Sequence, residues 1–290
     1  MTAVDETAEA QAARGELSAG WTEIRPATGL LRGLSFREVV AYRAVAVALA
    51  QRRLKARYKQ TATGALWVVF QPLVTVVVFT LVFGDLAGLP SAGIPYPVFV
   101  LSGLVLWNFH AASLQGAADS LVEHHELVTK IYFPRLLAPA AAVIPPMVDL
   151  AVGLGVLAVA MLLYGVAPGL AVLSLPLWVL AQIVFTAGLG LTFAALNVQY
   201  RDVGYGLPFL VQLWLFVTPI IFASSSVDGP LRVVLALNPV TGVVDGFRWA
   251  AIGAPAPPAV DLLSLATGLV AVTGSLIYFQ RVERRFADVV

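Results

Sequence analysis

The sequence has no cysteine. That excludes a disulfide framework, a thiolate metal site and a cysteine nucleophile, and it says nothing of compartment. Charge is scarce as well. Only 12% of the 290 residues are Asp, Glu, Lys or Arg, about half the ~25% usual in soluble domains. There are three histidines, His110, His124 and His125, and no HExxH pattern. They make a poor metal site. No lysine follows a glycine, so no phosphate-binding loop of the GxxxxGK(S/T) kind exists. No GxSxG nucleophile elbow is present either. The chain shows no means of hydrolysing ATP or of covalent catalysis. Energy must reach it from an ion gradient or from another subunit.

What the chain has is apolar residues in long blocks. They make up 59% of the sequence, and the mean hydropathy is +0.85. This composition marks an all-α polytopic membrane protein. Six spans are expected, at 64–84, 97–118, 138–163, 171–196, 207–223 and 260–279. Twenty-one helical residues rise roughly 31 Å, which matches the hydrocarbon core. Pro145 and Pro146 fall inside the third span, where two lost donors should kink the helix. Two shorter apolar pieces lie within 230–252, split by Asn238-Pro239. Each is too short to cross a bilayer. They are expected as two short helices on the external side, interfacial or re-entrant.

Residues 1–34 are polar, acidic and Ala-rich, without the apolar core of a signal peptide. A mobile cytoplasmic tail is expected there, with the first internal span directing insertion. Ser35 and Glu38 read as a capping box that opens a helix over 35–63. Phe36, Val40, Val47, Leu54 and Tyr58 share one side of it. Its end is crowded with Arg52, Arg53, Lys55, Arg57 and Lys59. An amphipathic helix with a basic end, ahead of a span, belongs in the interface. The transmembrane domain is then 64–290.

Orientation follows from Lys and Arg. Sixteen of the eighteen fall before the first span, in the second-to-third and fourth-to-fifth connections, or in the tail. The other side carries only Arg232 and Arg248. Positive charge marks the cytoplasm, so both termini are expected there. Asp149 is the sole acid near the middle of a span. A charge there costs about 2.5–3.5 kcal/mol on insertion scales. It reads as a proton or substrate contact, or as a protonated or capped acid beside the proline pair. One acid is a thin basis for ion coupling.

Five ordered stretches carry a resemblance. They are ARYKQTATGALWVVFQPL at 56–73, PYPVFVLSGLVLWNF at 95–109, SLVEHHELVTKIYFPR at 120–135, ALNVQYRDVGYGLPF at 195–209 and LNPVTGVVDGFRWAAIG at 237–253. From about residue 35 onward the chain resembles the membrane subunit of ABC-type polysaccharide exporters. That family exports O-antigen, teichoic acid and related cell-envelope glycans. His124 stands where the family pattern usually has Asn.

The resemblance implies a permease of the bacterial inner membrane that works as two copies with two ATPase subunits. ATP and Mg would sit on those partners, and this chain would hold no cofactor and no metal. The substrate would be a polyprenyl-diphosphate-linked glycan. Residues 119–135 would form a coupling helix that presses into the ATPase, with Glu123, Glu126, Lys130, Tyr132, Phe133 and Arg135 as contacts. Tyr200, Arg201 and Asp202 would add a smaller contact, or else only stop transfer and cap a helix. Arg52, Arg53, Lys55, Arg57 and Lys59 would bind the lipid diphosphate, or serve as a positive-inside anchor. Trp67, Phe70, Trp214 and Phe216, on the first and fifth spans, would line the conduit, or else sit at the membrane interface. Asp245 and Arg248 would pair locally, worth about 0.2–0.5 kcal/mol, and gate the outer mouth. A permease for small drugs or lipids, an ion-coupled carrier and an intramembrane glycan enzyme are the competing readings.

Overall fold

A computed structural model describes residues 40–59, 64–123 and 133–283, with side chains of 57–59 and 64–66 excepted. Its described residues are helical, with no strand among them. The order is α1 Arg43–Lys59, α2 Gly64–Phe79, α3 Tyr96–Glu123, α4 Leu137–Leu163, α5 Leu175–Gln199, α6 Asp202–Val217, α7 Pro230–Leu237, α8 Thr241–Ile252 and α9 Asp261–Glu283. A π-helical segment, Thr80–Leu86, continues α2, and a 3₁₀ turn, Leu170–Ser174, leads into α5.

Five helical stretches are long and apolar enough to cross a membrane: Trp67–Leu86, Tyr96–Glu123, Leu137–Leu163, Leu170–Gln199 and Asp261–Glu283. They correspond to the expected first, second, third, fourth and sixth spans. The third of these stretches, α4, runs unbroken through Pro145 and Pro146.

The expected fifth span, 207–223, needs correction. Its helix starts earlier, at Asp202, and stops at Val217 after 16 residues. Thr218 is extended, with φ −97° and ψ 139°. It precedes Pro219, and a residue before proline is driven out of the α region by the ring. Thr218 Oγ1 donates back to the Trp214 carbonyl at 2.9 Å, so the helix end is closed by its own side chain.

The second span, α3, also runs further than expected. It reaches Glu123, so the first five residues assigned to a coupling helix are the last turn of α3. This helix is the buried centre of the bundle, packed along α4 and α5. Small residues let neighbours approach it and each other. Gly153 sits against Val105, and Gly190 against Ala117. By contrast, α2 and α6 expose long apolar faces.

α1 turns a different face inward than the sequence suggests. Leu49 and Ala50 are buried against the α4 end of the bundle, with Val45 and Ala46 beside them. Val40 and Val47, on the expected stripe, are exposed. The helix lies against protein on one side, and Val40 and Val47 fall on the other.

The two short helices fall as expected, split at Asn238-Pro239. Gly253 closes α8 in the left-handed region at φ +69°, and its N–H donates to the Arg248 carbonyl. Gly246 packs directly under Trp178 of α5, where a Cβ would collide with the indole ring. A flat ring cannot bend away. Gly246→Ala is therefore expected to destabilise the protein by about 1–3 kcal/mol. Adding Trp178→Leu should recover most of that loss. Thermal unfolding of the detergent-purified single and double variants measures it.

Candidate functional site

The most densely bonded polar region lies where α7 and α8 meet the bundle. Arg248 projects from α8 and is fully buried. Its guanidinium donates to the carbonyls of Pro219 (2.5 Å), Ile220 (2.7 Å) and Phe99 (3.3 Å), and to Ser102 Oγ (3.2 Å). It also stacks 3.7 Å from the centroid of the Phe99 ring, a cation–π contact. The carbonyls at Pro219 and Ile220 exist as free acceptors because α6 has ended at Thr218. The helix break and the arginine answer each other.

Arg232 of α7 makes the second arm. It pairs with Asp261 at 2.5 Å and Asp245 at 3.5 Å. Ser224 Oγ donates to Asp245 Oδ2 at 2.5 Å. The local pair expected between Asp245 and Arg248 is not what forms. Arg248 is drawn to backbone carbonyls, and Asp245 to Ser224 and Arg232. Two cations and two carboxylates thus balance in a buried cluster. Burial pushes the Asp245 carboxyl up to about 6, against the opposing pull of Ser224, Arg248 and Arg232. Burial also lowers Arg248 to about 10, where it stays charged at neutral pH.

At the end carrying the α3–α4 connection, Arg53 of α1 donates to the Gly116 carbonyl (2.9 Å) and pairs with Glu123 (2.5 Å). A residue assigned to the lipid diphosphate and one assigned to coupling are thus each other's partners. Arg52 and Lys55 are exposed, whereas the side chains of Arg57 and Lys59 lie outside those described. Glu126, Lys130 and Tyr132 lie outside the described residues. Phe133 is buried among Leu49 and Leu137. That turns its side chain inward and removes it from a docking face, contrary to expectation. Arg135 donates to the Glu283 carbonyl at 2.5 Å and ties the start of α4 to the end of α9.

Tyr200, Arg201 and Asp202 are exposed at the α5–α6 turn. Asn197 secures that turn. Its Nδ2 donates to the Ala118 carbonyl (3.0 Å) and Asp119 (3.2 Å), and its Oδ1 accepts from Gly204 N–H (3.0 Å). Sequence reading passed over Asn197, Arg232 and Asp261. Only the ALNVQYRDVGYG stretch hinted at the first.

Of the four aromatics, Trp67, Phe70 and Phe216 are at least half exposed. Trp67 and Phe70 pack edge to face on α2, 5.4 Å apart. Trp214 turns inward instead, 5.1 Å from His110 and 6.2 Å from Trp107 of α3. His110 in turn shares a hydrogen bond with Thr186 Oγ1 of α5 at 2.8 Å.

Residues 45–252, most of this helical framework, match the ABC-2 type transporter family. The chain belongs to that family. Membership makes it a multi-pass membrane protein and a transport permease rather than an enzyme. Among relatives of this ABC-2 type transporter chain, the O-antigen export system permease protein RfbA of Myxococcus xanthus is 30% identical. That alignment spans 87% of this chain and 97% of the relative. A permease of the same name from Klebsiella pneumoniae is 26% identical, over 84% of this chain and 93% of the relative. The polysialic acid transport protein KpsM of Escherichia coli is 24% identical over 81% and 93%.

Proposed function

We propose that this chain is the permease subunit of an ATP-driven exporter that moves a lipid-linked polysaccharide from the cytoplasmic to the outer face of the plasma membrane. The observation that carries this reading is the near full-length similarity to permeases named for O-antigen and polysialic acid export.

In this reading two copies form the conduit, and two ATPase subunits drive it with ATP and Mg. The unpartnered apolar faces of α2 and α6 support such a pairing. They give each copy a surface that lipid, a second copy or the glycan would cover. The fifth of the six spans is α6 with the irregular stretch that follows it. Both termini face the cytoplasm, where Lys and Arg concentrate. The Arg53–Glu123 pair then stands at the cytoplasmic end of α3, immediately before the segment 124–132. A push on that segment would reach α1 and α3 together. The basic run is the proposed site for the diphosphate headgroup, with Arg52 and Lys55 exposed there. Tyr200, Arg201 and Asp202 form the smaller cytoplasmic contact. The α7–α8 pair caps the outer end.

Purification of the tagged chain from its native host tests the reading. A stoichiometric ATP-binding protein is expected to come with it, and to be lost from Glu126→Ala/Lys130→Ala. Cells depleted of the chain should accumulate a lipid-linked glycan on the cytoplasmic side. A preparation without an ATPase even after crosslinking, from cells with no glycan build-up, would sink it.

A further inference from the structure

Some polar side chains within the apolar helices pair with a neighbouring helix, as His110 does with Thr186 and Thr192 with Ser275. One polar group lines a cavity. Gln71 of α2, Asn108 and Gln115 of α3, and Asp149 of α4 line a space of about 260 Å³, with Trp67 in its wall. Asn108 is the exception in its own helix. Every residue from Val98 to His110 is buried except this carboxamide. Gln115 follows two helical turns later on the same side. Trp67 as a whole is 56% exposed.

Carboxamides and a carboxylate inside membrane spans are costly, and they face cavities where function keeps them. Three side chains here both donate and accept, one is an acid, and an indole ring stands in the wall. A metal ion would call for more than one acid. A lipid chain would call for no polar group. A ring bearing several hydroxyls, with an apolar C–H face, uses all five. The volume is below the about 300–1,000 Å³ of drug-sized pockets, which suits one ring rather than an oligosaccharide.

We infer that this cavity binds a single hydroxyl-rich sugar ring, gripped by Gln71, Asn108, Gln115 and Asp149 against the face of Trp67. The inference deepens the polysaccharide-export reading and rests on it. It places a sugar station between α2, α3 and α4, in addition to the exposed aromatic faces. Polar side chains there exchange hydroxyl partners one residue of glycan at a time. The acid near the middle of the third span then acts as a hydroxyl acceptor rather than as a coupling-ion site.

The test uses the full chain in lipid nanodiscs and the methyl glycosides of glucose, galactose, mannose and rhamnose as probes, read by saturation-transfer NMR. At least one glycoside is expected to give a saturable signal. Asn108→Leu and Gln115→Leu should each weaken it about tenfold, the loss of one good hydrogen bond. Trp67→Leu, at an exposed position, does the same if either α3 variant fails to fold. No saturable signal from any glycoside, or a signal unchanged in folded variants, overturns the site. Glycan export in cells separates the two readings. Parent-rate export by Asn108→Leu and Gln115→Leu overturns the site and leaves the export reading standing. Absence of glycan build-up on depletion overturns the export reading, and the NMR result then decides the site alone.

Discussion

Replacing Arg248 with Met is expected to cost at least about 3 kcal/mol of stability, because three backbone carbonyls lose their donor at once and each orphaned group costs about 1–3 kcal/mol. Met fills much of the same volume, so the loss measures hydrogen bonding rather than a void. The carbonyls of Pro219 and Ile220 have no helical partner beyond the break at Thr218. Phe99 contributes the third acceptor from α3. Arg248→Lys should recover only part of the loss. Its single nitrogen keeps the charge but cannot fork across acceptors on two segments. Gly103 reports on the same site from the other side. A Cβ there would meet Arg248 Nη2 at 2.7 Å, so Gly103→Ala should reproduce a milder version of the defect. Thermal unfolding of the purified chain in one detergent, with limited proteolysis as a second readout, checks all three. An unchanged midpoint for Arg248→Met would mean that other donors reach those carbonyls.

This arrangement bears on how α8 can move. Arg248 binds α8 to the start of α3 and to the segment after α6 through four hydrogen bonds. A short helix held in this way moves with its neighbours. In the proposed export reading, opening at that end would carry α8, the start of α3 and the segment after α6 together, rather than swing a separate flap.

The elements that were legible in the sequence are those whose limits are set locally. The third span was expected at 138–163 and runs Leu137–Leu163. The split at Asn238-Pro239 follows from proline chemistry and appears as expected. The end of α6 was misplaced because hydropathy stays high through Ile220 and Ile221 while the backbone obeys Pro219. Partners were harder to read than positions. Asp245 and Arg248 are three apart on one helix and invite pairing. The actual partners of Asp245 are Ser224 and Arg232, 21 and 13 residues away. Burial makes distant partners matter, since a buried charge needs whichever donor the fold brings near. The same holds for Arg53 with Glu123, 70 residues apart. Phe133 read as a surface contact from the YFPR ending, yet its ring completes the small core under α1. Polar positions such as Asn108 and Gln115 carry no sequence signal of their own. Only the packing of α2, α3 and α4 around them makes one place of them.

Arg232→Leu should be about as damaging as Arg248→Met, for a different reason, and its damage should depend on pH. The substitution strands Asp245 and Asp261, both buried, without their shared cation. Breaking a buried pair by removing one partner costs about 3–5 kcal/mol. Asp245 already sits at about 6 with Arg232 present, and losing a nearby cation raises it further. An acid raised in the folded state holds its proton more tightly there than in the unfolded chain. Its favourable contribution is complete below the unfolded value of about 3.9 and fades as pH rises through the folded one. The deficit of Arg232→Leu relative to the parent should therefore be largest at pH 8 and smaller at pH 5. Adding Asp245→Asn should recover part of the stability and flatten that dependence, because one stranded carboxylate becomes a neutral amide. Melting midpoints of parent, single and double variants at the two pH values decide it. A deficit equal at pH 5 and pH 8 would assign the loss to packing of α7 rather than to stranded carboxylates.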